Sequence, residues 1–128
     1  MSEQPQTVRM RTALQAYLDA LNRNDADAVL ALYNDNPTVE DPVGSPPLVG
    51  RVAVEAFYRK VAAMPLRLEL AAPIRASHGN AAAMAFDVLV GVPGQGQRIS
   101  VIDVMTFDAD GRIASMKAYW GPEDAKPL

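Results

Sequence analysis

The stretch Ile99-Ser100-Val101-Ile102-Asp103-Val104-Met105-Thr106-Phe107 limits the possible folds of this chain more than any other. It is rich in β-branched and apolar residues and reads as a strand. Successive side chains of a strand point to opposite faces. One face therefore carries Ile99, Val101, Asp103, Met105 and Phe107, and the other Ser100, Ile102, Val104 and Thr106. Asp103 falls in the middle of the more apolar face, with no Lys or Arg beside it. A carboxylate placed there must be paired or must keep its proton. Two readings stay open. Asp103 is satisfied by a backbone amide or an Arg from elsewhere, or it is a neutral acid that donates a hydrogen bond at a catalytic site.

Ahead of this strand, apolar residues recur at helical spacing in three stretches. Thr7 can cap a helix running to about Asn22, with Met10, Leu14, Tyr17, Leu18 and Leu21 as its inner stripe. The Tyr17 hydroxyl then meets a bound water in the core or faces a cavity. Asn24-Asp25 ends this helix and caps a second over about Ala26 to Tyr33, with Val29, Leu30 and Tyr33 inward. Tyr33 leaves the same choice as Tyr17. Thr38-Val39-Glu40-Asp41 reads as a short strand with Val39 and Asp41 on one side and Glu40 toward water. Pro42-Val43-Gly44-Ser45-Pro46-Pro47 follows as a stiff loop. A proline after Asp41 disfavours helix and admits a cis bond. Asp41 is thus a turn-initiating aspartate or an acid held at a pocket rim. Gly50 precedes a third helix over about Arg51 to Ala62, with Val54, Phe57, Tyr58 and Val61 on one face, and Pro65 stops it.

The remainder alternates as antiparallel strands over 66–70, 74–77, 81–92, 99–107 and 112–120. Met84, Phe86, Val88 and Val90 share a face, as do Met116, Ala118 and Trp120. Gly91 to Gln97 is a Gly-rich hairpin connection, and Asp108-Ala109-Asp110-Gly111 a tight turn. Helices first and strands after indicate an α+β fold: three N-terminal helices packed on a strongly curved antiparallel sheet, a cone around an apolar pocket. One domain is expected over residues 1–128, with residues 1–6 frayed and the polar tail 121–128 mobile.

Several function classes fall away. Net charge is −3 with no basic run, which disfavours nucleic acid and anionic membranes. There is no cysteine, so thiol nucleophiles and thiolate metal sites are excluded. The single histidine, His78, lies in a polar turn, so neither a histidine metal site nor a Ser-His-Asp set is in reach. The glycines join two strands, whereas a phosphate cradle needs a strand–loop–helix context. No apolar run spans a bilayer and the start lacks a signal-peptide core, which points to a cytoplasmic protein. Carboxylates, tyrosines and apolar walls remain, and they suit proton transfer without a cofactor.

Thr38-Val39-Glu40-Asp41-Pro42, the tyrosines on the three helices, Val101-Ile102-Asp103-Val104-Met105 and Ala118-Tyr119-Trp120, in this order, together resemble bacterial steroid delta-isomerase, also called ketosteroid isomerase. The likeness runs from the first helix to Trp120. It implies the nuclear transport factor two-like cone and an enzyme that converts 3-oxo-Δ5-steroids to 3-oxo-Δ4-steroids. Asp41 would be the general base that moves a proton from C4 to C6. Tyr17 and a protonated Asp103 would donate to the ketone oxygen as it becomes a dienolate. Tyr58 and Tyr33 would extend the hydroxyl chain behind Tyr17, and the Trp120 indole would hydrogen-bond Asp41. The Asp41–Pro42 bond would be cis. Phe57, Met84, Phe86, Val101, Met105, Met116 and Trp120 would line the steroid slot. The resemblance also implies a homodimer covering the outer sheet face. The Gly-rich connection at 91–96 is the least family-like part. Two alternatives are a relative acting on another ketone through the same acid–base pair, and a non-catalytic binding or dimerisation module of the same fold.

Overall fold

The computed structural model describes residues 5–128; the first four residues of the expected frayed leader lie outside them. In chain order the elements are α1 (Gln6–Asn22), α2 (Ala26–Leu30), β1 (Tyr33–Glu40), β2 (Leu48–Val49), α3 (Arg51–Ala62), β3 (Leu66–Leu70), β4 (Arg75–Ala76), β5 (Ala81–Val90), β6 (Gln97–Phe107), β7 (Ile113–Tyr119), a 3₁₀ turn (Pro122–Asp124) and β8 (Ala125–Pro127). The strands form one curved sheet in the order β2-β1-β7-β6-β5-β3, with β4 paired to β5 and β8 to β6. No helix among the described residues is long and apolar enough to cross a membrane.

The apolar stripes fold as their spacing requires. Met10, Leu14, Tyr17, Leu18 and Leu21 of α1 are all buried, as are Val54 and Tyr58 of α3. Thr7 does not cap α1: the Pro5 carbonyl accepts from Val8 and Arg9, so the helix already starts at Gln6. Asp25 caps α2 as expected, accepting from the Ala28 N–H at 3.0 Å. Helix α2 is shorter than its pattern, however. It ends at Leu30, and Tyr33 opens β1. Ile113 N–H donates to the Leu32 carbonyl at 2.8 Å and Tyr33 pairs with Ile113, so the sheet ladder takes the backbone away from the helix.

Two further expectations change. The sheet is mixed, because β1 runs parallel to β7. These strands are far apart in sequence, so no hairpin imposes the antiparallel sense. Residues 121–128, expected as a polar tail, form a 3₁₀ turn and a strand: the Gly121 N–H donates to Asp124 Oδ2 at 2.8 Å, and β8 pairs with Gln97–Ile99. The Asp-Gly turn between β6 and β7 is as expected, with Gly111 at φ +81°, where a side chain would be strained.

Register explains the core. Across β5, β6 and β7, Met84 faces Asp103 and Asp103 faces Ala118; one step along the same face, Met105 faces Met116. Met84, Met105 and Met116 are buried in the closed core with Phe107 and Ile113. Met105→Ala should lower stability by about 2–5 kcal/mol in urea denaturation, as for a fully buried side chain, and a loss under about 1 kcal/mol would contradict that placement.

Candidate active site

A cavity of about 180 Å³ opens between the helices and the inner face of the sheet. Leu21 of α1, Phe57 and Val61 of α3 and Met64 line it from the helices and the turn after α3. Leu66 and Leu68 of β3, Phe86, Val88 and Val90 of β5, and Ile99 and Val101 of β6 line it from the sheet. Polar groups enter from five residues: Tyr17, Asp41, Tyr58, Asp103 and Trp120. The structure thus brings together every acid and phenol named from the sequence except Tyr33, which lies behind Tyr58.

Asp103 is 2% exposed, the only buried ionisable acid among the described residues apart from the tyrosine phenols. Its neighbours on the inner face are Val101 and Met105 along β6 and Met84 and Ala118 across. No buried side-chain oxygen or nitrogen among the described residues is sealed off without a partner, and Asp103 lines the cavity, so its carboxyl looks into that space. Burial raises its pKa well above the ordinary carboxylate range, and the Asp41 charge raises it further. Both causes favour the neutral form of Asp103, the form that has an O–H to donate.

Asp41 lies one residue past β1, ahead of a cis Asp41–Pro42 bond. The loop is anchored in several ways. Val43 N–H donates to the Ala118 carbonyl at 2.8 Å, opposite Asp103 in the sheet. Glu40, which sequence alternation turned outward, accepts from Gly44 N–H at 2.9 Å, and Ser45 Oγ donates to the Pro42 carbonyl at 2.6 Å. The Trp120 indole Nε1–H donates to Asp41 Oδ1 at 2.9 Å. Burial raises the Asp41 pKa, while the indole bond to its anion pulls it back. With a donor of its own and partial exposure, Asp41 ionises more easily than Asp103. Once charged, it holds the proton on Asp103.

Three phenols run into the protein behind this pair. The Tyr17 and Tyr58 hydroxyls are 3.0 Å apart, and those of Tyr58 and Tyr33 2.5 Å. Burial is the first cause that raises all three pKa values well above the ordinary phenol value, so each stays an O–H donor. If Tyr33 donates to Tyr58 and Tyr58 to Tyr17, the Tyr17 proton is left for the cavity, and each bond polarises the next. The Phe57 ring meets Tyr58 edge-on, with centroids 4.9 Å apart, and both side chains line the cavity.

Of the residues expected to line the slot, Phe57, Phe86, Val101 and Trp120 do so. Met84, Met105 and Met116 do not: they lie in the sealed core. Alternation assigns a face but not a depth. The lining of β5 and β6 lies on the hairpin side of Asp103, at Ile99, Val101, Phe86, Val88 and Val90, and that position along the strand was the available signal.

A curved sheet closed by helices over an apolar cavity lined by two carboxyls and two phenols defines the class, a cone-shaped small-molecule enzyme scaffold. Residues 14–116 match the SnoaL-like domain, and the chain belongs to that family. It is 42% identical over 118 residues to the steroid Delta-isomerase of Nocardioides simplex, covering 92% of this chain and 94% of that protein. It is 31% identical over 124 residues to the epoxide hydrolase LasB of Streptomyces lasalocidi, covering 94% of this chain and 44% of that protein. The solved structure of SalBIII, an epoxide hydrolase/cyclase-like enzyme of pyran ring formation in the polyether salinomycin, superposes with a TM-score of 0.86 at 26% identity, over 97% of this chain and 100% of that one.

Asp103 also predicts a pH dependence. Its folded pKa is raised, so the stability it contributes is complete below the ordinary carboxylate pKa and is lost as pH climbs toward the raised value. Asp103→Asn has no proton to lose there. Its stability relative to the parent, from urea curves, should rise between acid and neutral pH. A difference that stays flat would contradict the neutral acid.

Proposed function

We propose that the protein is a steroid delta-isomerase that moves the double bond of a 3-oxo-Δ5-steroid into conjugation with the ketone, without a cofactor. The observation that carries this reading is the convergence of Asp41, Asp103 and Tyr17 on one apolar cavity. The 42% identity to the Nocardioides simplex isomerase over nearly the whole of both chains supports it.

In the proposed reaction the Asp41 carboxylate takes a proton from C4. The C–H electron pair forms the C3–C4 double bond and the carbonyl pair moves to the C3 oxygen, giving a dienolate. Tyr17 and Asp103 donate to that oxygen. Asp41 then returns the proton to C6, and the carbonyl re-forms with a double bond between C4 and C5. The Trp120 indole bond steadies the Asp41 anion and its aim. Donors fixed in advance on a developing oxyanion act most strongly where water is excluded, which is what the apolar walls provide. Epoxide opening would need the same donors, but the closer likeness in sequence is to the isomerase.

We also propose a homodimer through the outer sheet face. Ile102 and Tyr119 lie opposite each other there and are 49% and 46% exposed. Sedimentation should give twice the chain mass; a single-chain mass at micromolar concentration would contradict it.

Mixing the protein with a 3-oxo-Δ5-steroid should produce the absorbance of the conjugated enone. Asp41→Asn should cut the rate about 10²–10⁴-fold with an unchanged circular dichroism spectrum, as for loss of a general base. Tyr17→Phe should cost about 10²–10³-fold, more than Tyr33→Phe. Retained activity in the Asp41 variant, or the reverse order for the tyrosines, would refute these assignments.

A further inference from the structure

Arg51 stands where helix electrostatics argue against it. It is the first residue of α3, at the positive end of the helix dipole, and no acid shares that first turn. The preceding Gly50 has φ +94°, so the chain turns sharply into the helix. The Arg51 guanidinium donates to three backbone carbonyls: Nη2 to Leu30 at 2.8 Å, and Nη1 to Tyr33 at 3.1 Å and Asn34 at 2.9 Å. Leu30 is the last residue of α2, and Tyr33 and Asn34 are the first two of β1. One planar fork therefore ties the start of α3 to the end of α2 and the start of β1, a geometry an ammonium cannot reproduce.

The same two elements meet again at the hydroxyl chain. Tyr58 lies seven residues after Arg51 on the inward face of α3, with Val54 between them. The Tyr33 side chain leaves the backbone that Arg51 holds and bonds the Tyr58 hydroxyl. We infer that Arg51 is a positioning residue of the proposed isomerisation: by clamping the Tyr33 backbone to α3 it sets the spacing of the Tyr33–Tyr58–Tyr17 chain. This rests on the isomerase reading and on that chain polarising Tyr17. Arg51 does not line the cavity, so in this inference it acts on the reacting atoms through the tyrosines.

The test compares Arg51→Met and Arg51→Lys in the parent and in a Tyr33→Phe background. It reads kcat and KM on a 3-oxo-Δ5-steroid, and binding of 2-naphthol, a phenol that reports donor geometry whether or not a steroid turns over. In the parent, Arg51→Met should lower kcat about three- to tenfold with KM within about twofold, and weaken 2-naphthol binding to match. In the Tyr33→Phe background the same substitution should change neither. Arg51→Lys should move both readouts in the same direction, and it carries the comparison should the Met variant not fold. An undiminished loss in the Tyr33→Phe background would overturn the inference, as would a change in KM alone or in thermal stability alone. Absence of steroid turnover in the parent would refute the isomerase reading by itself, and the 2-naphthol arm would still decide the role of Arg51.

Discussion

Strand β6 carries the Asp103 carboxyl into a wall of Met84, Val101, Met105 and Ala118, where ionisation would strand a charge away from water. Burying a lone carboxylate costs on the order of several kcal/mol, and holding the proton avoids that cost. The same burial raises the Asp103 pKa, which favours its neutral form, the donor form of the proposed reaction. The rest of the cavity answers to that constraint. Its walls are apolar, the phenols beside it are kept neutral by the same burial, and the second acid is given a different environment.

That difference in environment divides the roles. Asp41 sits past the end of β1 on a loop pinned to β7 through Val43 and Ala118, and it has the Trp120 indole as a donor. Asp103 has apolar neighbours and the Asp41 charge, both of which oppose ionisation. In the proposed reaction two carboxyls of the same kind thus serve as base and acid across one cavity. The charge there falls on Asp41, whose burial is partly offset by the Trp120 indole, and not on the more deeply buried Asp103.

Much of this was legible in the sequence, for local reasons. Alternation in 99–107 placed Asp103 on the buried face, and 3.6-residue spacing placed Tyr17 and Tyr58 inward, because periodicity reports which face is buried. Periodicity does not report depth: the family likeness implies Met84, Met105 and Met116 in the slot, whereas Val88, Val90 and Ile99 line the cavity. Contacts distant in sequence were equally out of reach. The parallel pairing with β7 that pulls Tyr33 out of α2, the β8 pairing that orders 125–127, and the three carbonyls on Arg51 all join remote segments. The tyrosine chain itself was drawn from the family likeness, and its hydrogen bonds came from the structure.

The most direct measurement is carboxyl ¹³C NMR of the protein labelled at aspartate, titrated across the acid to neutral range, with Asp103→Asn and Asp41→Asn to assign the signals. The account predicts that the Asp103 resonance stays at its protonated position through neutral pH while Asp41 ionises well below it. An Asp103 signal that titrates in the ordinary carboxylate range, or below Asp41, would contradict it.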